Sequence, residues 1–414
     1  MEFVILEEQL MDINIAILVG GALLLVSTLA SKLSDRIGVP VLLLFLTIGM
    51  LAGSEGVGGL AFDSPEQAQA IGTAALLVIL FSGGLDTRWT SVKPVLLPGL
   101  VLSTAGVFLT MITLGVFAKF ILGGYTSFDF GTAGLSWTEA FLIAAIVSST
   151  DAAAVFSVYR TSPVQPRKKL RSLLELESGS NDPMAVLLTV TLLGIIANGE
   201  QLSLALAVTL IVQLCVGGLA GGLIGLAGVH VLNGLRLSTD GLYPMLALAL
   251  GLISFGAAEW FSGNGFLAVY VAGLVIGNKI DAGRTELMNF HEGLSWLMQI
   301  LIFVMLGLLV FPSQLLEVAA VSVALALFLM LVGRPLAVFI CYLPFRPKKE
   351  ELFYVSWVGM RGSVPIVLAT FPATYGLQGA SQIFHLIFFF VLVSVLVQGL
   401  TLVPAARYFK VTDS

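Results

Sequence analysis

Two short polar runs stand inside otherwise apolar stretches of the sequence. The first reads Ser148-Ser149-Thr150-Asp151, and the second reads Glu175-Leu176-Glu177-Ser178-Gly179-Ser180-Asn181-Asp182-Pro183. Ionisable groups in apolar segments are costly, and they usually line a pathway or pair with one another. A lone carboxylate in such a place can hold one proton or one monovalent cation, but hardly both. Competition for that one group would couple the movements of the two ions.

A third run, Gly359-Met360-Arg361-Gly362-Ser363-Val364-Pro365, places a basic residue among glycines and a proline. At a rise of about 1.5 Å per helical residue, Asp151, Asp182 and Arg361 lie about 18, 16 and 15 Å into their apolar segments. Because the core of a bilayer is about 30 Å thick, all three residues are predicted to lie near its midplane.

The spacing of the second run places its polar groups on two helix faces. Glu177 and Asn181 are four residues apart, so the Glu177 carboxylate is predicted to hold the Asn181 amide. Ser178 and Asp182 share a second face, on which a cation could gain two oxygen ligands. Pro183 would free a backbone carbonyl one turn earlier as a further acceptor. The alternative interpretation is a buried polar network that only fixes helix packing.

The composition indicates a membrane protein. Of the 414 residues, 57% are hydrophobic and 11% are charged, and the mean hydropathy is +1.01. A soluble domain of this length needs roughly 25% charged residues, so most of the outer surface is predicted to face lipid. The net charge of −5 argues against nucleic acid as a partner. Cys215 and Cys341 give neither a disulfide framework nor metal-ligand spacing, and we interpret them as packing residues.

Apolar runs of about 20 residues recur along the whole chain and predict an all-α polytopic membrane protein with thirteen transmembrane helices. Acidic residues precede the first run, which is therefore interpreted as a retained helix and not as a signal peptide. The predicted spans are 12–31, 38–54, 68–85, 93–120, 137–159, 170–198, 202–233, 241–260, 262–278, 294–311, 317–343, 351–374 and 380–408.

The basic residues predict the orientation of these helices. Seventeen of the twenty Lys and Arg residues fall in alternate loops or at the C-terminal end, all on one side. The positive-inside rule makes this side the cytoplasm. We therefore expect an external N-terminus and a cytoplasmic C-terminus in the cytoplasmic (inner) membrane. The residues are Lys32, Arg36, Arg88, Lys93, Arg160, Arg167, Lys168, Lys169, Arg171, Arg236, Lys279, Arg284, Arg346, Lys348, Lys349, Arg407 and Lys410.

Helices five and twelve are predicted to be interrupted. Hydroxyl side chains compete for backbone hydrogen bonds in the first, and two glycines and a proline weaken the second. Each of the two is the fifth helix of a six-helix unit, one formed by helices 1–6 and the other by helices 8–13. Helix seven alone connects the units, and a single connecting helix gives the second unit the opposite orientation in the membrane. Matched interrupted helices in inverted halves are typical of the binding site of a transporter.

At these residues the sequence resembles the monovalent cation/proton antiporter family that includes the bacterial NhaP proteins and the animal sodium/proton exchangers. The resemblance covers essentially the whole chain and looks closest to the NhaP-type branch of potassium/proton antiporters. Members of that branch usually carry a cytoplasmic regulatory tail, which we expect to be missing from this chain. The matching motifs are Thr150-Asp151, Glu177-Ser178, Asn181-Asp182 and Gly359-Met360-Arg361-Gly362, with weaker matches at Phe81-Ser82-Gly83-Gly84-Leu85 and Gly333-Arg334-Pro335.

The resemblance implies a homodimer in which interrupted helices five and twelve cross at the midplane of each protomer, as in the NhaA/NhaP-like antiporter fold. It implies a dimerisation part at 1–92 and 237–316, a moving core at 93–200 and 317–414, and a linker helix at 201–236. An elevator-like motion of the core would give alternating access.

The resemblance also implies a role for each residue of the site. Asp182 would be the exchanging carboxylate, with Asp151 and Thr150 polarising the site. Glu177 would orient Asn181 and pair with Arg361. The expected ligands of the proton or the transient cation are Asp182, Asp151, Thr150 and Ser178, supported by Asn181, Glu177 and Arg361, with no cofactor. Asn181 leaves one exchangeable charge, so the exchange is predicted to be electroneutral, one cation for one proton.

Other functions fit the sequence less well. Sodium-coupled uptake of an organic solute is the main alternative. An ion channel would need a ring of carbonyls or charges around a pore, and an intramembrane hydrolase would need a catalytic triad or a metal motif. The three histidines, His230, His291 and His385, do not cluster. Sodium and potassium cannot be told apart from these residues, and Arg334 is assigned no transport role.

Overall fold

Helices make up all of the regular structure of the described chain apart from two isolated β-bridges. The structure is a computed structural model that describes residues 2–37, 40–125, 134–160, 162, 164–199, 204–235, 237–281 and 283–412. The basic loop residue Arg236 lies outside these residues. The helices are α1 (Glu2–Ile37), α2 (Val41–Ala52), α3 (Pro65–Asp86), α4 (Trp89–Val92), α5 (Leu96–Val101), α6 (Val107–Tyr125), α7 (Trp137–Ile146), α8 (Ala152–Arg160), α9 (Lys168–Asn198), α10 (Leu204–Gly234), α11 (Leu242–Trp260), α12 (Gly265–Lys279), α13 (Arg284–Leu308), α14 (Pro312–Phe328), α15 (Arg334–Tyr342), α16 (Lys349–Trp357), α17 (Ser363–Leu368), α18 (Phe371–Thr374) and α19 (Ala380–Tyr408).

Nine helical stretches of the described chain are long and apolar enough to cross a membrane. Four further apolar helical stretches are shorter: α2, α7, α12 and Ser363–Thr374. The prediction of an all-α polytopic membrane protein is therefore confirmed. The count of thirteen spans stays a prediction, because these four stretches are shorter than the roughly 20 residues that cross a bilayer.

Local sequence signals set where several of these helices begin. α7 starts with a capping box, in which the Ser136 hydroxyl accepts from the Glu139 N–H at 3.1 Å and the Glu139 carboxylate accepts from the Ser136 N–H at 2.6 Å. α12 starts after Asn264, whose Oδ1 accepts from the Leu267 N–H at 2.8 Å. Each bond satisfies a backbone N–H that the first turn of a helix leaves unpaired.

Two non-helical segments meet in the interior. α7 ends at Ile146 and α8 begins at Ala152, while α16 ends at Trp357 and α17 begins at Ser363. These ends coincide with the hydroxyl run and the glycine-rich run of the sequence. The Asp151 N–H donates to the Met360 carbonyl at 2.8 Å, so the segment that carries Asp151 lies directly against the one that carries Arg361.

A π-helical turn, Leu329–Gly333, separates α14 from α15. Such a turn inserts one extra residue into the helical register and is frequent at functional sites. The residue that follows it is Arg334, which is only 5% exposed. The register change therefore falls directly before a buried guanidinium.

Glycines bring the backbone of α12 into contact with that of α3. A Cβ on Gly273 would lie 2.5 Å from the Phe81 carbonyl oxygen, and a Cβ on Gly84 would collide with the Tyr270 carbonyl. Gly217 and Gly221 play the same part between α10 and α12, where a Cβ would collide with the backbone of Asn264 or Ala268. The three helices α3, α10 and α12 thus form one closely packed wall.

Candidate functional site

The Asp151 carboxylate is held by the first turn of α8 and lies against the second non-helical segment. Its Oδ1 accepts from the Ala154 N–H in the first turn of α8 at 2.9 Å. The opposite segment approaches so closely that a Cβ on Gly362 would overlap Oδ2 of Asp151. Glycine at 362 is therefore required by the position of the Asp151 carboxylate. The carboxylate itself lies where two short helices, α8 and α17, begin.

α9 holds the first non-helical segment through two polar side chains. The Ser178 hydroxyl donates to the Thr150 carbonyl at 2.7 Å and accepts from the Ala152 N–H at 2.8 Å. The Asn181 amide donates from Nδ2 to Thr150 Oγ1 at 2.7 Å, and its Oδ1 accepts from the Thr150 N–H at 3.3 Å. These bonds satisfy backbone groups that the end of α7 leaves unpaired, which is what buried polar groups require.

The predicted ion pair between Glu177 and Arg361 is wrong. Both Glu177 oxygens bind Arg334, with Nη1 on Oε1 and Nη2 on Oε2, the latter at 2.9 Å. The pair is bidentate and buried, the geometry in which a guanidinium matches a carboxylate best. Arg334 Nη2 also donates to the Val358 carbonyl at 3.1 Å. Arg334, to which the sequence assigned no role, thus joins α9 to the second non-helical segment.

The second contact predicted for Glu177 is also wrong. Glu177 does not orient Asn181, because the Asn181 amide is bonded to Thr150 on both of its polar atoms. Arg361 forms no ion pair with Glu177 within the described chain. Its side chain is 1% exposed, and its Nε and Nη1 have no hydrogen-bond partner. Its backbone N–H donates to the Ser394 hydroxyl of α19 at 3.2 Å.

Asp182 faces a cavity of about 440 Å³ together with Asp151 and Ser178. The cavity extends past Tyr270 of α12 to Glu175 and Arg171 near the beginning of α9. Arg171 and Glu175 form an ion pair at 2.9 Å, and their side chains are 52% and 33% exposed. Asp182 forms no ion pair among the described residues. The cavity therefore connects an uncompensated carboxylate to the side of the protein on which α9 begins.

The sequence-predicted site residues come together, but their hydroxyls are used differently than expected. Ser178 lines the cavity, yet its hydroxyl is engaged in two hydrogen bonds to backbone groups. Thr150 does not line the cavity, and its Oγ1 accepts from Asn181. Within the described residues no group of three or more His, Cys, Asp or Glu could hold a resident metal ion.

Sequence reasoning missed three residues at this site. Arg334 follows a π turn and reaches a partner 157 residues away in the chain. Tyr270 packs on α9, where a Cβ on Gly179 would lie 2.6 Å from its ring. Asn264 donates from Nδ2 to the Pro183 carbonyl at 2.9 Å. The Gly333-Arg334-Pro335 motif was a signal for the first residue; for the other two the sequence offers none.

Comparison with known proteins places the chain among transporters. The profile of the family described as the transmembrane sodium/hydrogen exchanger matches residues 21–408. The chain is 42% identical over 399 residues to the K(+)/H(+) antiporter NhaP of Alkalimonas amylolytica. The matched residues make up 96% of this chain and 67% of that protein. The chain is 44% identical over 406 residues to the K(+)/H(+) antiporter NhaP2 of Shewanella sp. (strain ANA-3), with 97% and 68% covered. These relatives are thus longer than the chain by about half its length.

A more distant relative agrees with this result, and a solved structure shares the fold. The chain is 32% identical over 322 residues to the Na(+)/H(+) antiporter NhaH of Halobacillus aidingensis, covering 74% of each protein. Its fold is similar to that of the sodium proton antiporter MjNhaP1 from Methanocaldococcus jannaschii, with a TM-score of 0.81 over 96% of this chain and 99% of that chain. The sequence identity in that comparison is 22%, so it bears on the fold alone.

Proposed function

Because the chain belongs to the sodium/hydrogen exchanger family, we propose that it exchanges a monovalent cation for a proton, with Asp182 as the exchanging carboxylate. The observation that carries the proposal is the different state of the three acids. Glu177 is committed to Arg334, and Asp151 is held by backbone N–H groups. Asp182 has no cationic partner in the described chain and faces the cavity. It is the acid that is free to take up and release an ion.

Competition at Asp182 couples the two fluxes. The carboxylate holds either a proton or a cation, and the loaded site carries the same charge in both cases. Asn181 next to it is neutral and bonded to Thr150, so it adds no second exchangeable charge. The exchange is then electroneutral, with one cation moved for each proton.

Access to Asp182 alternates between the two sides of the membrane. The cavity opens toward Arg171 and Glu175, on the side that the positive-inside rule makes cytoplasmic. In this arrangement the site faces the cytoplasm. The proposed motion carries α9 and the two interrupted helices past α12, as a core that slides like an elevator against a dimerisation part formed by 1–92 and 237–316.

Potassium is the first cation to test. The relatives at 42% and 44% identity carry names that state K(+)/H(+) exchange, whereas the relative at 32% identity is named for Na(+)/H(+) exchange. Thirteen spans in two inverted repeats, a homodimer, and an inner membrane with a cytoplasmic C-terminus complete the proposal. The similarity of the fold to MjNhaP1 over almost the whole chain supports the arrangement of the helices.

Reconstituted protein tests the role of Asp182. In proteoliposomes with a preset pH gradient and no organic solute, K⁺, Na⁺ or Li⁺ should dissipate the gradient for the wild type. Asp182→Asn should lower the rate by more than about tenfold, equivalent to at least about 1.4 kcal/mol, while the purified protein keeps its thermal stability. Glu286→Gln, an exposed acid in the first turn of α13, is the matched control and should transport normally. Cation-dependent exchange by Asp182→Asn would place the site elsewhere, with Asp151 examined next.

The charge balance is tested on the same vesicles. A potential imposed with valinomycin should leave Na⁺- or Li⁺-driven exchange unchanged, because each half-cycle moves the same net charge. If only K⁺ is transported, currents on a solid-supported membrane serve instead and should be absent. A sustained current would contradict the one-carboxylate mechanism even if the cation/proton exchange itself is observed.

A further inference from the structure

The hydroxyl groups predicted to bind the ion also make hydrogen bonds within the protein. Ser178 donates to the Thr150 carbonyl and accepts from the Ala152 N–H, so its donor and one of its two lone pairs are in use. Thr150 Oγ1 accepts from the Asn181 amide at 2.7 Å. Each hydroxyl thus keeps one lone pair for a cation at Asp182, and a cation without its hydration shell would need further oxygen ligands.

A third hydroxyl in the same segment is free. Ser149 is 1% exposed, and its Oγ has no hydrogen-bond partner. The neighbouring Thr150 N–H is bonded to Asn181, which places the peptide between residues 149 and 150 against the turn of α9 that carries Asp182. The Ser149 side chain lies close enough to the Asp182 carboxylate to interact with it, but its Oγ forms no hydrogen bond to it. A buried hydroxyl without a hydrogen-bond partner is destabilising, so this position favours a ligand.

We propose that the Ser149 hydroxyl is a further ligand of the exchange site, one that coordinates the cation with its oxygen when the cation is bound to Asp182. A hydroxyl can donate one hydrogen bond and offers two lone pairs. By rotation about one side-chain bond, Ser149 can turn one of these lone pairs to a cation bound at Asp182. It is uncharged in both states, so it leaves the charge balance of the exchange unaltered.

This assignment rests on the proposed function and adds a consequence for specificity. An oxygen ligand replaces part of the hydration shell of a dehydrated cation, whereas a proton on Asp182 needs no such shell. Removing the Ser149 oxygen should therefore weaken the binding of the cation and not the turnover of the loaded protein. The signature is a raised KM for the cation with a nearly unchanged maximal rate.

The neighbouring serine provides a matched control. Ser148 lies in the same non-helical segment and is 3% exposed, but its hydroxyl donates to the Ala145 carbonyl at 2.6 Å. Ser148→Ala and Ser149→Ala remove the same atom from adjacent residues. In proteoliposomes, Ser149→Ala should raise the KM for K⁺ or Na⁺ by about tenfold, the effect of about 1.4 kcal/mol, and Ser148→Ala should leave it within about twofold, since a short-range hydrogen bond contributes little to ion binding.

A second variant separates the ligand from simple packing. Ser149→Cys keeps the volume of the side chain but offers a soft sulfur, which hard monovalent cations bind poorly. Ser149→Cys should raise the KM for the cation as Ser149→Ala does. It replaces Ser149→Ala in the test if the alanine variant does not fold. The assignment is overturned if either variant binds the cation like the wild type, or if the maximal rate falls while the KM stays. A wild type that shows no cation-dependent proton movement would instead refute the antiport proposal.

Discussion

The two faces of α12 are packed in opposite ways. Toward α3, backbone lies on backbone, because Gly84, Gly273 and Gly277 leave no room for a single added carbon. Toward α9, the contacts include two side chains, the Tyr270 ring on Gly179 and the Asn264 amide on the Pro183 carbonyl. A cavity of about 440 Å³ lies beside these contacts.

This difference suggests which parts of the protein can move. Close-packed backbones resist sliding, because every displacement forces atoms into overlap. Side-chain contacts such as these can be broken and remade at small cost. The α3–α12 face is therefore suited to a fixed wall and the α9–α12 face to a sliding boundary, which is the division that the proposed elevator motion needs.

The part that is proposed to move is held together in another way. On the α9 side of the boundary, the non-helical segments are joined to their neighbours by buried polar groups, above all by the Glu177–Arg334 pair. Hydrogen bonds from polar side chains satisfy the backbone groups that a non-helical segment leaves unpaired. Close packing of glycines does not satisfy such groups. The wall and the core can be perturbed separately.

The largest effect is expected from the ion pair that holds the core. Glu177→Gln or Arg334→Met leaves one buried charge without its partner, which costs roughly 3–5 kcal/mol. Each should sharply lower the thermal stability of the purified protein, and the double variant should lose clearly less than the sum. A second double-mutant cycle, which combines Glu177→Gln with Arg361→Met, is the control. Its coupling energy should be smaller than that of the cycle with Arg334→Met. Equal coupling in both cycles would show that Arg334 is not the specific partner.

An intermediate effect is expected from the wall. Gly84→Ala and Gly273→Ala insert a carbon against a backbone carbonyl, and overpacking of this kind costs about 1–3 kcal/mol. Gly218→Ala in α10 is the matched control, because no atom lies within 4 Å of the added carbon. All three changes bring the same gain in helix propensity, so the difference in melting temperature reports the clash. If the control is destabilised as much as the others, the wall is not closely packed.

The smallest effect on stability is expected at the sliding boundary. Asn264→Ser keeps a side-chain cap for α12 but is too short to reach the Pro183 carbonyl. The loss of one hydrogen bond costs about 1 kcal/mol, which corresponds to about a fivefold shift in the balance between conformations. Hydrogen–deuterium exchange at the start of α12 and in the middle of α9 should rise, while the α3–α12 face stays protected. An equal rise in hydrogen–deuterium exchange at the α9–α12 face and the α3–α12 face would show that the two faces do not differ in this way.

Much of this arrangement could be predicted from the sequence. Apolar runs predict the helices, since lipid forces the backbone to bond within each segment. The hydroxyl run at 148–151 and the glycine-rich run at 359–365 predict where α7 and α16 end, because both depend on local chemistry. The gathering of Thr150, Asp151, Ser178 and Asn181 also follows from the matching motifs.

What the sequence could not supply is the pairing between distant side chains. Spacing by four residues favoured Asn181 as the partner of Glu177, but Asn181 is needed to bond the unpaired backbone at Thr150. The family resemblance favoured Arg361 as the partner of the carboxylate and left Arg334 without a role. The π turn before Arg334 is a tertiary adjustment that no local pattern predicts. The sequence likewise does not distinguish Ser149 from the hydroxyls beside it, because the partners of Ser178 and Thr150 are set by tertiary contacts.

The Glu177–Arg334 pair also sets an order of events in biosynthesis. Its two members are 157 residues apart, and a ribosome adds about 5–20 residues per second, so roughly 8 to 30 s pass between the synthesis of the acid and that of its partner. During that time α9 enters the membrane with an acid that lacks the base it will bind. Glu177 has to spend the interval protonated, hydrated or next to another donor, because a bare charge in lipid is costly. The insertion machinery thus handles a buried acid of the core before the fold can neutralise it.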